Sequence, residues 1–397
     1  MKSPKIRFEG YKDGWEQRKL GEVLSIATRK NGEQFTKKDV LSVSDVYGCV
    51  NQIRLQGRSF AGEDITNYKV VKTGDIVYTR SPLQAKPYGI IKIVEAETGI
   101  ISPLYIVNEV MGNNDASFVY YTFDSPQKTN SYLSPLVRKG AKNTMNISNE
   151  EWLSGDVMIA TDIEEQKKIG IYFRQLDNLI TIHQRKCEET KTLKKYMLQK
   201  MFPQNGTNAP EIRFDGFTDA WEQCKFGDIA ERVSTTGISG EEVPSVEYED
   251  VVSEQGLLNK DISQKKTIKT GIRFSGKEVL YGKLRPYLHN WLNPDFQGIA
   301  VGDWWVLKPV NLDKNFLYRL IQTPHFDNMA NQSSGTKMPR ADWKLISNTE
   351  FCIPKDLKEQ EKIGVYFSNL DKIITLHQQK CDELQNIKKF MLQNMFV

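Results

Sequence analysis

EEQKKIGIYFRQLDNLITIHQRKCEETKTLKKYMLQKMF, residues 164–202, returns as KEQEKIGVYFSNLDKIITLHQQKCDELQNIKKFMLQNMF, residues 358–396, with 23 of 39 positions identical. In the first copy Ile169, Phe173, Leu176, Ile180, His183 and Cys187 recur at alternating steps of four and three, and Ile363, Phe367, Leu370, Ile374, His377 and Cys381 repeat this in the second. That spacing is the seam of a coiled coil. Asp162 and Asp356 stand where a helix is capped, each with a glutamate three residues on (Glu165, Glu359) in capping-box spacing, and Pro203 closes the first copy. A helix of this length runs about 58 Å at 1.5 Å per residue, too long for one small domain to bury, so its own copy is the natural partner. An antiparallel pair is expected, because a parallel one requires the chain to travel back along the whole helix.

Working outward, a second repeat precedes each long segment. PKIRFEGYKDGWEQRKLG at 4–21 returns as PEIRFDGFTDAWEQCKFG at 210–227, with 11 of 18 positions identical. Between the repeats lie two unlike segments, about 22–160 and 228–355, similar only near their ends, where KGAKNTM (139–145) faces SGTKMPR (334–340). Constant frames hold variable inserts. VVKTGDIVYTR (70–80), GIIKIV (89–94) and KEVLYGKL (277–284) have strand character, while ASFVYYTFDSPQKTNSYL (116–133) and LDKNFLYRLIQTPHFDNMA (312–330) have helical spacing. The expected division is a mixed α/β domain over 1–160, a helix over 161–203, a second α/β domain over 204–355 and a second helix over 356–397.

Composition agrees with two ordinary domains: 397 residues, 39% hydrophobic and 26% charged, are typical of a globular chain. No stretch approaches the roughly 20 apolar residues of a membrane span, and MKSPKIRFEGYKDGWEQ lacks the apolar core of a secretory signal, so a cytosolic protein is expected. Five cysteines without CxxC spacing indicate neither a disulfide framework nor a zinc ribbon. A formal net charge of +4 permits nucleic-acid binding without demanding it.

Two unlike domains separated by two like helices resemble, over essentially the whole chain, the specificity subunits of type I restriction-modification enzymes. WEQRKLGEV and WEQCKFGDI resemble the opening of each target recognition domain, GDIVYTR and VLYGKLRPYL a motif inside it, the GAK and GTK turns its close, and EEQKKIG…LDNLI with KEQEKIG…LDKII the conserved helices. The resemblance implies two globular α/β recognition domains joined by an antiparallel coiled coil. It implies double-stranded DNA as ligand, two adenine-methylating subunits and two motor-nuclease subunits as partners, and no catalysis or cofactor of its own. Physical logic runs the same way: two unlike domains read two half-sites, and a helix pair of about 58 Å spans about 17 base pairs at 3.4 Å each, the scale of a split target. The alternative is a coiled-coil scaffold whose domains bind proteins.

For DNA contact, basic side chains on the insert loops are the candidates, since Arg reads guanine and Lys mostly meets phosphate. Arg80 and Lys86 lie in YTRSPLQAKPYG, and Lys283, Arg285 and His289 in YGKLRPYLHN, both interleaved with tyrosines. Lys142 follows Gly140 and Lys337 follows Gly335 in matching places, which favours a shared phosphate contact, with Arg340 close by. Solvated loop charges or simple turns are the plain alternative. His183, Cys187, His377 and Cys381 are a chemically acceptable zinc set, but positions on an apolar seam are filled by packing residues, and no metal is expected. GIRFSGKE (271–278) has glutamate where a phosphate-binding loop requires Ser or Thr, and NPDF (293–296) lacks the second proline of an amino-methyltransferase motif. Methylation is therefore expected to reside in a partner.

Overall fold

The computed structural model describes residues 3–84, 86–95, 98–139, 145–204, 207–265, 267–332 and 338–397. The chain forms two units, Met1–His183 with Gln379–Val397, and Gln184–Gln378. Both boundaries fall inside long helices, Ile163–Lys200 and Leu357–Asn394.

In the first unit an antiparallel sheet has the order Leu24–Ile26, Ile106–Val110, Ile76–Tyr78, Ile91–Ile93. The sheet lies in the core: Leu24, Ile76, Val77, Tyr78, Ile106 and Val107 are fully buried. Beside it Lys69–Val71 pairs with Gly99–Ile101, and Leu41–Ser44 forms a hairpin with Gly48–Asn51. The second unit repeats this plan. Its sheet runs Ala230–Val233, Trp304–Pro309, Val279–Gly282, Trp291–Leu292, all antiparallel. Thr270–Phe274 pairs with Gly298–Ala300, and Val251–Val252 forms a hairpin with Leu257–Leu258. Two inserts with little sequence in common thus build one topology, because each supplies apolar, β-rich runs at the same places in chain order.

The helical runs after each sheet differ from expectation. Residues 116–133 are two helices, Ala116–Thr122 and Pro126–Leu133, and the later run is likewise Lys314–Leu320 and Pro324–Ala330. Proline is the cause. Pro126 and Pro324 each occupy the first turn of a new helix, with Ser125 and Thr323 as side-chain caps, and the residue before a proline is pushed out of helical conformation.

The repeated opening segments are clamps on the long helices. Arg7 forms two hydrogen bonds to the Glu165 carboxylate, at 2.6 and 2.8 Å, and Arg213 does the same to Glu359 at 2.7 and 2.8 Å. Both glutamates are buried. The capping box read from their spacing is therefore only half present. Asp162 accepts from the backbone N–H of Glu164 at 2.7 Å, and Asp356 from that of Lys358 at 2.8 Å, but the glutamates turn inward to arginine. The hydrogen bonds to Glu165 and its charge hold the Arg7 guanidinium above its ordinary value against the opposing effect of burial. The Ile6 N–H caps the Asn394 carbonyl at 2.9 Å and the Ile212 N–H the Lys200 carbonyl at 2.9 Å, so each segment ties the start of one long helix to the end of the other.

Helix pairing is antiparallel within each unit. In the first, Lys388 lies 2.6 Å from Asp177, and Phe396 packs on Phe173 with ring centroids 5.7 Å apart. In the second, the counterparts exchange roles: Lys194 lies 2.7 Å from Asp371, and Phe202 packs on Phe367 at 6.3 Å. Of the seam positions, Ile169, Phe173, Leu176, Ile180, Cys187, Ile363, Phe367, Leu370 and Cys381 are buried, while Ile374, His183 and His377 are half-buried. Gly170 and Gly364 allow the short helices to approach: a Cβ would sit 2.5 Å from Asp115 Oδ1 in one unit and 2.7 Å from Asn315 Cβ in the other. Gln166 and Gln360 complete the joint, each accepting from the N-cap N–H of the short helix, Asp115 or Asp313, at 2.8 Å.

Candidate nucleic-acid interface

In both units the sheet strand that comes second in chain order, Ile76–Tyr78 or Val279–Gly282, runs straight into a basic loop. Burial of the strand fixes where the loop starts, and the loop then turns on residues with positive φ. Arg80 has φ 55°, Arg285 φ 47° and His289 φ 53°, all non-glycine residues in the left-handed region. Such conformations cost on the order of 1–3 kcal/mol each and persist only where the surroundings impose them. The Nε of Arg80 and that of Arg285 are buried with no hydrogen-bond partner among the described residues. Positive-φ arginines in both loops mark turns that are imposed by their surroundings rather than by local preference.

The second unit shows how the loop is imposed. Lys283 N–H donates to the Asp303 carbonyl at 2.9 Å, Arg285 N–H to the Pro339 carbonyl at 2.7 Å, and Ala341 N–H to the Lys283 carbonyl at 2.8 Å. The Tyr248 hydroxyl accepts from Leu284 N–H at 2.8 Å. Loop and exit segment are therefore laced together, which brings the side chains of Lys283 and Arg340 onto Asp303 and ties the Arg285 backbone to the exit segment. Arg340 holds Asp303 at 3.2 and 3.1 Å, with Lys283 Nζ 3.5 Å from the same carboxylate. The Arg340 hydrogen bonds, reinforced by both cations, keep Asp303 below its ordinary range despite partial burial. One carboxylate against the two cations Lys283 and Arg340 leaves the cluster positive, and Arg340 is half exposed.

The remaining candidates are placed differently. Lys86 is buried and bound to Asp45 at 2.7 Å, and His289 is held between Asp327 at 2.9 Å and Glu254 at 3.3 Å, so both are engaged by carboxylates of their own unit. Lys142 and Lys337 lie outside the described residues. His183, Cys187, His377 and Cys381 sit on the helix seam; Cys187 Sγ lies 3.9 Å from the Ile374 carbonyl, the packing position of a small hydrophobe. Among the described residues no helix is long and apolar enough to cross a membrane. The clustering of Arg340 with Lys283 was not expected from the sequence, where 57 residues separate them.

The type I restriction modification DNA specificity domain matches this chain twice, over residues 12–192 and 219–386, and the chain belongs to that family. It is a specificity subunit of two tandem mixed α/β domains with long helices that pair antiparallel. No curated protein matches the sequence. Among solved structures, the type I restriction-modification S subunit from M. genitalium superposes with TM-score 0.66 at 13% identity, covering 100% of this chain and 99% of that one. The fold is therefore shared although the sequences have diverged. A structure described as underlying complex assembly and conformational transition of the type I system gives 0.48 at 15% identity over 97% and 99%, and the HsdS subunit from Thermoanaerobacter tengcongensis gives 0.44 at 14% over 98% of each chain.

Proposed function

We propose that this chain reads a bipartite, asymmetric DNA target in the cytosol, one half-site per domain, and directs adenine methylation and cleavage carried out by partner subunits. The observation that carries the reading is a single sheet-and-loop plan built twice, with the loop residues changed and the frame kept. Target recognition domains over 1–160 and 204–355 would present Arg80 in one case and Lys283, Arg285 and Arg340 in the other. Lys142 and Lys337 would meet phosphates. The conserved helices, 161–203 and 356–397, set the gap between half-sites.

Two methylating and two motor-nuclease subunits are the partners in this reading, and a second duplication supports the number of methylating subunits. Ile171, Leu179, Ile182, Leu193 and Tyr196 are exposed on the first long helix, and their counterparts Val365, Ile373, Leu376, Ile387 and Phe390 are exposed on the second. Five matched pairs of exposed apolar residues would supply two equivalent docking faces, which fits two methylating subunits.

Inserting seven residues at equivalent points of both helices keeps the heptad phase and adds about 10 Å, or about three base pairs of rise. Mapping of methylated adenines should then show unchanged half-sites with a longer gap. Altered half-sites with an unaltered gap would sink the reading.

A further inference from the structure

Each reading loop is fastened from the side by a hairpin whose tip carries an acid. In the first unit the tip between Leu41–Ser44 and Gly48–Asn51 presents Asp45, which meets Lys86 at 2.7 Å and Lys92 at 3.4 Å. Lys86 is the hub of its loop: its N–H donates to the Leu83 carbonyl at 3.1 Å, and its carbonyl accepts from Leu83 at 3.0 Å and Gly89 at 3.1 Å. In the second unit the tip between Val251–Val252 and Leu257–Leu258 presents Glu254, which meets His289 Nδ1 at 3.3 Å. His289 likewise anchors its loop, donating its N–H to the Pro286 carbonyl at 2.9 Å and accepting from Glu254 N–H at 3.0 Å. The two hairpins occupy the same place in the repeated topology. The tips share a short pattern, Val43-Ser44-Asp45 before Gly48 and Asn51 in one and Val252-Ser253-Glu254 before Gly256 and Asn259 in the other, and both bring a carboxylate onto the basic residue at the hub of the loop.

We infer that Asp45 and Glu254 are equivalent positioning residues, each the acid of a clip that fixes the reading loop, and that the second clip, built on histidine, loosens as pH rises while the first, built on lysine, does not. This rests on the DNA-reading function proposed above. It reassigns Lys86 and His289 from DNA contacts to parts of the loop scaffold, which explains why both are already engaged.

The groups around each clip decide its behaviour. Asp45 faces Lys86 from the loop and Lys92 from the adjoining strand; burial pushes its carboxyl up, and the two ammonium groups outweigh this and hold it below its ordinary value. Its charge is constant at any pH above the carboxylate range. His289 faces Glu254 from the hairpin and Asp327 from helix Pro324–Ala330, and stacks on Trp291 with centroids 5.3 Å apart. The Asp327 hydrogen bond, with Glu254 behind it, raises the imidazole above its ordinary 6.5 in spite of partial burial. A raised value means that the doubly bonded imidazolium is complete below pH 6.5 and is lost as pH climbs through the raised value. Neutral imidazole has one N–H, which goes to the nearer Asp327, and its bare nitrogen then faces the Glu254 carboxylate. The backbone bond from Glu254 to His289 remains, so loosening is partial.

The test uses the full chain assembled with its methylating partner and a duplex of the mapped target, in competition with duplexes altered in one half-site at pH 6.0 and 8.5. Discrimination at the second half-site should fall about threefold at the higher pH, the size of an exposed pair, with the first unchanged. Asp45→Asn should lower discrimination at the first half-site about tenfold at both pH values, since it strands a buried lysine. Glu254→Gln should lower the second and abolish its pH dependence, and His289→Lys should make it pH-independent without loss. The idea is overturned if Asp45→Asn tightens specific binding, as removal of a negative charge would if Lys86 were a phosphate contact, or if both half-sites share one pH dependence. Hydrogen exchange on the DNA-free chain separates the two layers. Faster exchange of residues 41–51 in Asp45→Asn supports the clip even if no duplex is bound specifically, in which case the DNA-reading proposal fails; unchanged exchange overturns the clip whatever the DNA does.

Discussion

Replacing Arg7 by methionine isolates the energetics of the repeated clamp. Glu165 has 0% side-chain exposure and Arg7 13%, and the two join through a pair of parallel hydrogen bonds at 2.6 and 2.8 Å. Losing the arginine leaves a carboxylate in the core with neither charge partner nor water, which costs about 3–5 kcal/mol. Removing both partners, as Arg7→Met with Glu165→Leu, removes the stranded charge too and should cost no more than about 1–2 kcal/mol. For a unit of roughly 200 residues the single change corresponds to a fall of about 6–20 °C in midpoint at about 2–4 °C per kcal/mol. Because Arg7 is raised above the ordinary guanidinium value, its contribution is complete throughout the neutral range, so the loss should be the same at pH 6 and pH 9. Urea unfolding followed by segment-resolved hydrogen exchange would place the loss in peptides of the first unit for Arg7 and of the second for Arg213. The clamp argument is refuted if Arg7→Met costs under about 1 kcal/mol, or if the double variant costs as much as the two single ones summed.

Other outcomes follow from the same geometry. Gly170→Ala, which in an exposed helix would stabilise by about 1 kcal/mol, should destabilise by about 1–3 kcal/mol because its Cβ meets Asp115 and Ser117; a raised melting temperature would refute this. Lys388→Met should be worse than Lys194→Met, since Lys388 neutralises both Asp124 at 2.5 Å and Asp177, whereas Asp371 keeps Arg319 at 2.7 Å after Lys194 is gone; paired denaturation curves decide it. Asp124 lies below its ordinary 3.8 because Lys388 and Lys92 overcome the upward push of burial, so its stabilisation is present above about pH 4 and disappears as pH falls through the lowered value. Lys388→Met should flatten that acid limb in a pH titration of stability. A chain ending near Gly206 retains Asp177, Lys194, Phe173 and Phe202, both halves of the reciprocal helix contact, and should dimerise with a concentration dependence visible by sedimentation; a folded fragment that stays monomeric would contradict the pairing.

The frame was legible because its signals are local or repeated. Heptad spacing and a 39-residue repeat define the long helices with no knowledge of the inserts. Strands Ile76–Tyr78, Ile91–Ile93 and Val279–Gly282 stood out as short β-branched runs. The equality of the two sheets was hidden, because buried positions accept many apolar residues and leave no identity to count. Glu165 and Glu359 misled through a genuine capping-box spacing, since the competing arginines lie more than 140 residues away. Lys86 and His289 stood as candidates for DNA contact with no sign of their acidic neighbours, because Asp45 and Glu254 are 41 and 35 residues distant. Spacing reports neighbours along the chain, and the clips are neighbours only in space.

The first unit is discontinuous in sequence: its core needs Phe396, which packs on Trp15, Phe118 and Phe173, and it needs Lys388 to neutralise Asp124. At about 5–20 residues per second, roughly 10–40 s pass on the ribosome between synthesis of the first long helix and arrival of that closing segment. Throughout that interval Trp15, Phe118 and Phe173 lack the ring that packs on them in the finished chain. A neighbouring nascent copy offers a matching segment in its own residues 184–202. Slower translation should therefore lengthen the time in which a chain can pair with its neighbour before it closes on itself.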